Sequence, residues 1–426
     1  MFTEFDRFAM ARALALAARG LETTDPNPRV GCVVARGDRV IGEGWHERAG
    51  EAHAEVAAIA AVRAAGAQTA GATAYVTLEP CSHYGRTPPC VNALIAAQFA
   101  RVVFAVQDPN PLVAGRGAEA LRNAGIAVQS GLMEAEAAEL NVGFMKRMKS
   151  GRPWVRVKLA MSLDGRTALA NGASQWITGE AAREDVQHWR ARSSAIMTGV
   201  GTVLADDPRL NVRLAAEVPG QHRRQPMRVV LDSSLHTPSD ARLFSGGGEV
   251  VILTAESAGD GAGSGAGAAP GIGASGSGAG VRRAHEMSPP TLHVVRPSTS
   301  RATQRDDSGA EDGYTHRRAA LANSGARVEE LPASGGRVDL AAALDRLGQL
   351  QVNELLVEAG PTLAGELLAQ SRVDELLLYI APKILGPQAR PLVDIPELRD
   401  LAQAPGFALL DAERFGDDLR LRLRPR

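Results

Sequence analysis

Apolar and polar positions along this chain fall into short runs that switch between a strand period and a helix period. Val30 to Ala35 and Val40 to Gly44 read as two strands turning at Arg36-Gly37-Asp38, and the runs Thr73 to Leu78 and Arg101 to Val106 have strand length and β-branched character. Helical patterns lie around and between them. One is near the N-terminus (Phe5, Phe8, Ala9, Leu16), a second follows His53-Ala54-Glu55 (Val56, Ile59, Ala60, Val62, Arg63), and a third follows Pro88-Pro89-Cys90 (Val91, Leu94, Ile95, Gln98). Such alternation predicts a sheet with helices on its faces. Around Lys149-Ser150-Gly151-Arg152-Pro153 the pattern breaks and restarts, which predicts a linker. A second set of strands follows at Trp154 to Ala160, Ala195 to Thr198, Met227 to Asp232, Val250 to Thr254, Glu354 to Glu358 and Asp374 to Ile380. Two α/β domains are therefore predicted, 1–147 and 152–426.

Composition changes this picture in one place, at about 255–318. From Ser257 to Gly280 nearly every residue is Gly, Ala or Ser, which predicts a disordered surface insert, with Thr291 to Arg296 a candidate short strand inside it. Elsewhere the composition is that of a globular protein, with 45% hydrophobic residues. The net charge of −1, from 47 basic and 48 acidic residues, gives no overall field to attract nucleic acid. Met1 to Arg19 carries Glu4 and Asp6 and lacks the central apolar run of a signal peptide. No stretch reaches the roughly 18 uninterrupted apolar residues of a membrane span. A soluble, cytoplasmic setting with reduced thiols is expected.

Candidate chemistry concentrates in His53-Ala54-Glu55 and in the loop Pro80-Cys81-Ser82-His83-Tyr84-Gly85-Arg86-Thr87-Pro88-Pro89-Cys90. The chain has only three cysteines, and two stand in this loop. The third, Cys32, lies among Val30, Val33 and Val34 and reads as a core residue. His53, Cys81 and Cys90 read as three zinc ligands; a structural site normally closes with four, so three ligands predict a catalytic site that keeps one position for water. Glu55 falls in the first turn of the helix after His53, where a carboxylate can move protons without binding the metal. His83 is the one competing ligand, and within the loop it reads better as a substrate contact. A Cys81–Cys90 disulfide is disfavoured without any other disulfide framework. His-x-Glu with Pro-Cys is the signature of the zinc nucleobase deaminases, in which metal-activated water attacks the carbon bearing an exocyclic amine.

The eight residues between Cys81 and Cys90 depart from the two of that signature and narrow the comparison. Pro80 to Cys90, with Thr24-Asp25-Pro26-Asn27-Pro28-Arg29-Val30-Gly31 upstream and Asp108-Pro109-Asn110-Pro111 downstream, resembles the deaminase half of the bifunctional riboflavin-biosynthesis proteins. That family pairs a diaminohydroxyphosphoribosylaminopyrimidine deaminase with a 5-amino-6-(5-phosphoribosylamino)uracil reductase. The resemblance spans nearly the whole chain apart from the Gly/Ala/Ser-rich insert. It implies a cytidine-deaminase-like α/β/α domain followed by a dihydrofolate-reductase-like α/β domain. It also implies that Asn27, His46, His83, Arg86, Asp108 and Asn110 line the pocket for the pyrimidine and its ribose phosphate. Taken alone, Asn27 reads equally well as a turn residue between prolines.

In the second domain Gly199-Val200-Gly201 follows an apolar strand, but Leu204 stands where a dinucleotide fingerprint needs its third small residue. Val357 to Glu366, a strand turning through Gly360-Pro361 into a helix, is the better candidate for holding a pyrophosphate on free N–H groups. The resemblance implies NADPH as cofactor, with Ala160, Trp176, Thr202, Asp206, Ser233 and the stretch Gly360, Pro361, Thr362, Leu363, Ala364, Gly365 and Glu366 at cofactor-binding positions. It implies Lys158, Ser174, Arg190, Leu210, Arg213 and Glu358 at substrate-binding positions. Lys158 is one of only four lysines, and without the resemblance a solvent-facing lysine at a strand edge describes it as well.

The resemblance implies deamination of 2,5-diamino-6-ribosylamino-4(3H)-pyrimidinone 5′-phosphate, then reduction of the ribosyl side chain to ribityl, and the position of the linker predicts that the two sites are separable. Small phosphorylated pyrimidines are the expected partners, with no nucleic acid, no membrane and a homo-oligomeric assembly. Two other readings are a nucleoside or nucleic-acid deaminase with an accessory domain and a non-catalytic zinc-stabilised scaffold. Neutral charge and the long cysteine spacer count against the first, Glu55 against the second.

Overall fold

In the computed structural model, residues 1–83, 88–111, 113–214, 223–256 and 308–426 are described. The first domain holds a five-stranded sheet in the order Arg39–Trp45, Gly31–Arg36, Thr73–Leu78, Arg101–Val106, Ala127–Ser130. Its first two pairings are antiparallel and its last two parallel. One face packs the helices Ala54–Ala64, Cys90–Ala96 and Arg116–Asn123, and the other packs Glu4–Ala18 and Glu134–Leu140. Cys32 is fully buried in the first of these layers, as a core residue should be.

The helices form where the pattern predicts, but two are turned differently about their axes. The N-terminal helix buries Asp6, Ala9, Met10, Ala13, Leu16 and Ala17, while Phe8 is 55% exposed. The Ala54–Ala64 helix buries Ala54, Glu55, Ala58, Ile59 and Val62 and turns Val56 outward. Close approach explains this phase. A Cβ at Gly44 would stand 2.5 Å from the Ala58 backbone nitrogen, so glycine facing alanine sets the contact and the bulkier Val56 has no room there. That packing fixes the helix whose first turn carries Glu55.

The second domain is built on a nine-stranded sheet ordered Ala326–Leu331, Val250–Ala255, Met227–Leu231, Ala195–Gly199, Glu354–Glu358, Trp154–Ser162, Glu375–Ala381, Asp418–Pro425, Phe407–Phe415. Pairing is parallel as far as Glu375–Ala381 and antiparallel in the last two steps. The C-terminal hairpin was not among the predicted strands, although Leu419, Leu421 and Leu423 alternate with Arg420, Arg422 and Arg424 at strand period. Ser257 to Gly280 and Thr291 to Arg296 lie outside the described residues. The helix Ser308–Asn323 begins inside the range predicted as insert, so that range is drawn too long at its C-terminal end. The helix Val142–Ser150 likewise runs past residue 147, and Gly151, in the left-handed region at φ 72, ends it.

The two domains meet through buried charge. Arg29, from the first, donates to Glu354, which also accepts from Arg156 at 2.8 Å and Arg192 at 2.9 Å. Arg156 and Arg422 both donate to Glu375, at 3.1 and 3.0 Å. Glu354 and Glu375 are fully buried. Burial alone would raise the Glu354 pKa, but the charges of Arg192, Arg29 and Arg156 outweigh it and hold the carboxylate well below its ordinary 4.5. Glu375 is lowered to about 2, where the Arg156 charge and the Arg422 hydrogen bond overcome burial.

Removing one member of such a cluster strands the others, so Glu354→Ala is expected to cost about 3–5 kcal/mol in urea unfolding. A loss below about 1 kcal/mol, the scale of an exposed pair, would contradict this account of the junction. The pH dependence has a definite sign. A carboxylate whose folded pKa lies below its unfolded value stabilises above that value, and the contribution fades as pH falls from about 4.5 towards 2. Wild-type protein should therefore lose stability through that window more steeply than Glu354→Ala does.

Candidate active sites

The three ligands predicted in the first domain converge from separate elements. His53 is the residue preceding the Ala54–Ala64 helix, Cys81 follows the Thr73–Leu78 strand, and Cys90 is the first residue of the Cys90–Ala96 helix. His53 Nδ1 lies 3.2 Å from Cys90 Sγ and 3.6 Å from Cys81 Sγ, and all three ligand atoms lie within 4.8 Å of one another. No other such cluster occurs among the described residues. The Cys90 N–H donates to Cys81 Sγ at 3.3 Å, so a helix N-terminus favours thiolate there. Hydrogen bonding from Cys90, then from His53, holds the Cys81 thiol down at about 4. Its bond to Cys81, burial and the nearby Glu55 push the Cys90 thiol up, so the pair divides one proton between them. Two soft sulfurs and one imidazole nitrogen at this spacing fit a tetrahedral zinc with a fourth position open.

Glu55 is buried beside the cluster without belonging to it. Burial, reinforced by Cys81, raises its pKa, the direction needed in a group that must carry a proton near neutrality.

The cluster opens into a cavity of about 360 Å³ lined by Asn27, His46, Glu55, His83, Asp108 and Asn110 among others. Of the predicted substrate residues only Arg86 is missing from this wall, because it lies outside the described residues. Asn27 Nδ2 donates to His46 Nε2 at 3.0 Å while His46 Nδ1–H donates to the Ala52 carbonyl at 3.0 Å, which fixes the tautomer of that ring. The His46 ring stands edge-on to His53 at 5.2 Å. Burial lowers the His46 pKa and so favours this neutral form. His83 Nδ1 is buried without a hydrogen-bond partner among the described residues, which suits a ligand contact. Burial raises Asp108 to about 6.

Sequence reasoning missed Glu79, Arg147 and Gln351. Glu79 is buried and accepts from the backbone N–H groups of Asp108, Gly115 and Ala118, at 3.3, 3.0 and 3.1 Å. It thereby holds the loop bearing Asp108 and Asn110. Its position at the end of the Thr73–Leu78 strand, directly before Pro80-Cys81, was the available signal.

The second domain contains a larger cleft, about 1640 Å³. It is lined by Lys158, Ala160, Ser174, Trp176, Arg190, Thr202, Asp206, Leu210, Arg213, Ser233, Glu358, Gly360, Pro361, Thr362, Leu363 and Glu366, which is every predicted reductase residue except Ala364 and Gly365. Those two lie on the other side of their helix. Ala364 is in the core, and a Cβ on Gly365 would stand 1.8 Å from the Asp394 carbonyl oxygen. Gly199, Val200 and Gly201, set aside for lack of a dinucleotide fingerprint, line the same cleft. A Cβ on Gly201 would meet nothing within 4 Å, and Gly360, preceding the Pro361–Ala369 helix, would bring one to 4.0 Å from Thr202 Oγ1. The paired glycine turns leave room for a pyrophosphate against backbone N–H groups.

Lys158 is on a central strand, between Glu354–Glu358 and Glu375–Ala381, not on an edge. It is half-buried, with Nζ 5.8 Å from the Tyr379 ring centre, and burial lowers its pKa. Arg190 grips Glu358 in a bidentate pair at 2.6 and 2.8 Å. Burial acts to raise the Glu358 pKa, but the Arg190 charge and hydrogen bonds keep it below the ordinary range.

A His–Cys–Cys cluster that fits zinc, with a buried acid beside it, joined to a mostly parallel-sheet domain with a cofactor-sized cleft, is the arrangement of a zinc-type deaminase fused to a second enzymatic domain. The family described as "Cytidine and deoxycytidylate deaminase zinc-binding region" matches residues 3–106, and "RibD C-terminal domain" matches 153–261 and 291–421. The chain is 44% identical to the riboflavin biosynthesis protein RibD of Escherichia coli K12, over 98% of this chain and 99% of that one. With the Haemophilus influenzae protein of the same name it shares 41% identity, over 100% and 99%. The solved structure of Acinetobacter baumannii RibD is 41% identical and superposes with a TM-score of 0.79, covering 99% of both chains. A Thermotoga maritima structure titled as the deaminase/reductase is 29% identical with a TM-score of 0.75, again over 99% of both. This chain belongs to the RibD family, the bifunctional deaminase–reductases of riboflavin biosynthesis.

Proposed function

We propose that the first domain hydrolyses the 2-amino group of 2,5-diamino-6-ribosylamino-4(3H)-pyrimidinone 5′-phosphate and that the second reduces the ribosyl group of the product with NADPH. The observation that carries the reading is His53, Cys81 and Cys90 converging beside a buried Glu55 that is not a ligand. His53, Cys81 and Cys90 would hold the zinc, which would make a bound water nucleophilic at neutral pH. Glu55 would take one proton from that water and pass it to the ring nitrogen as the oxygen bonds to C2, then take the second from the new C2 hydroxyl and pass it to the departing amine. The C2–N bond breaks and ammonia leaves. Asn27, His46, His83, Asp108 and Asn110 hold the pyrimidine and its ribose, with Arg86 suited to the phosphate.

NADPH held in the second cleft would supply a hydride for C1 of the opened ribosylamine, whose nitrogen would take a proton from water. Thr202, Asp206, Ser233 and the Gly360 turn bind the dinucleotide, while Lys158, Ser174, Arg213 and the Arg190–Glu358 pair bind the phosphorylated substrate. A cytoplasmic enzyme assembled as a homo-oligomer is part of the same reading; among the described residues no helix is long and apolar enough to cross a membrane.

The test is an assay of the zinc-loaded chain with the diaminopyrimidinone phosphate. Ammonia should appear without NADPH, and added NADPH should then be oxidised one for one; no ammonia from this substrate would refute the assignment. Lys158→Ala should slow NADPH oxidation by about tenfold or more, the loss expected for a charged hydrogen-bonding group at a binding site. Ammonia release in that variant should stay at the wild-type rate. Equal loss of both signals would contradict the placement of Lys158 in the reductase cleft.

A further inference from the structure

The turn that carries Asn27 into the deaminase cavity is held mainly by the other domain. Asn353 lies between the Leu340–Gln349 helix and the Glu354–Glu358 strand and is 3% exposed. Its Nδ2 donates to the Pro26 carbonyl at 2.8 Å and to Asp25 Oδ1 at 3.2 Å. Its Oδ1 accepts from Arg147 Nε at 2.6 Å. Its own N–H donates to Ser194 Oγ at 2.8 Å, and that hydroxyl donates to Asp25 Oδ1 at 2.6 Å. On the cavity side of the turn Asn27 bonds His46, whose ring abuts the zinc ligand His53.

Arg147 is the second group Asn353 holds. It lines the deaminase cavity, and with Nε engaged its two Nη groups make no hydrogen bond among the described residues. Gln351, two positions before Asn353, lines the same cavity with a left-handed backbone, φ 63. A guanidinium fixed at Nε presents its Nη pair as a bidentate partner for a phosphate.

We propose that Asn353, a residue of the reductase domain, is a positioning residue for deamination: it sets Asn27 through the Asp25-Pro26 backbone and aims Arg147 at the phosphate of the deaminase substrate. The inference rests on the cavity being the deaminase substrate site. Because both groups act on bound substrate, the effect falls on KM for ammonia release and leaves kcat and the reductase unchanged. A merely structural Asn353 would instead impair both activities together.

The test uses the full zinc-loaded chain as wild type, Asn353→Ala, Arg147→Gln and the double variant, following ammonia release and, separately, NADPH oxidation with the already deaminated substrate. Each single variant should raise KM for ammonia release about tenfold, the scale of one lost hydrogen bond to a charged group, with kcat within about twofold. The double variant should be less than multiplicative, since Asn353 acts partly through Arg147. NADPH oxidation should keep its KM and kcat in all three. An unchanged KM in either single variant, multiplicative effects in the double, or joint loss of both activities in Asn353→Ala would overturn the proposal. Wild-type ammonia release in the same experiment separates failure of this inference from failure of the deaminase reading.

Discussion

Glu55→Gln is expected to lower ammonia release by about 10²-fold or more, the usual contribution of a positioned general acid–base, while zinc stays at about one per chain. Glutamine keeps the volume and the buried hydrogen-bonding capacity of the side chain and removes only its ability to exchange a proton. That isolates the chemistry. Glu55 is buried in the first turn of a helix fixed by the Gly44–Ala58 contact, and none of the three ligand atoms belongs to it. The metal should therefore bind as before. Zinc loss in Glu55→Gln would mean that the carboxylate supports the metal site, and ammonia release near the wild-type rate would remove Glu55 from the reaction.

The second large effect belongs to the thiols. Cys81→Ser and Cys90→Ser should each weaken zinc binding by more than about 100-fold, because ligand loss exceeds even the upper range for changes in outer-shell partners. A serine hydroxyl is a hard, protonated donor at neutral pH where a soft thiolate is needed. Cys81 accepts the Cys90 backbone N–H and is pushed strongly towards thiolate, so its replacement removes the more acidic of the two sulfurs. Metal analysis after dialysis against a weak chelator reads this directly. Full zinc retention in both variants would contradict the site.

The zinc site was legible in the sequence because its pieces are local. Two of three cysteines stand in one loop, and His53 and Glu55 sit two residues apart at a helix start. Strands with β-branched apolar runs were equally plain. The domain junction was hidden, since Arg29 and Glu354 are 325 positions apart and each alone has the composition of a surface residue. Arg156, in a strand whose only other charged residue is Lys158, gave a signal only in retrospect; its partners Glu354 and Glu375 lie on the two neighbouring strands. Ala127–Ser130 is short, polar-tipped and at a sheet edge, so its pattern is too weak to distinguish from a loop. For Ala364 and Gly365 the motif placed the helix correctly, but only packing against Asp394 decides which side of it faces the cleft.

The central claim is that one chain carries two chemistries at two sites, each with its own catalytic residues. The measurement that tests it most directly gives Glu55→Gln the already deaminated 5-amino-6-ribosylaminouracil phosphate and follows NADPH absorbance. NADPH should be oxidised at close to the wild-type rate, although the same preparation releases almost no ammonia from the diaminopyrimidinone. Loss of NADPH oxidation in step with ammonia release would contradict two sites and require a single composite one.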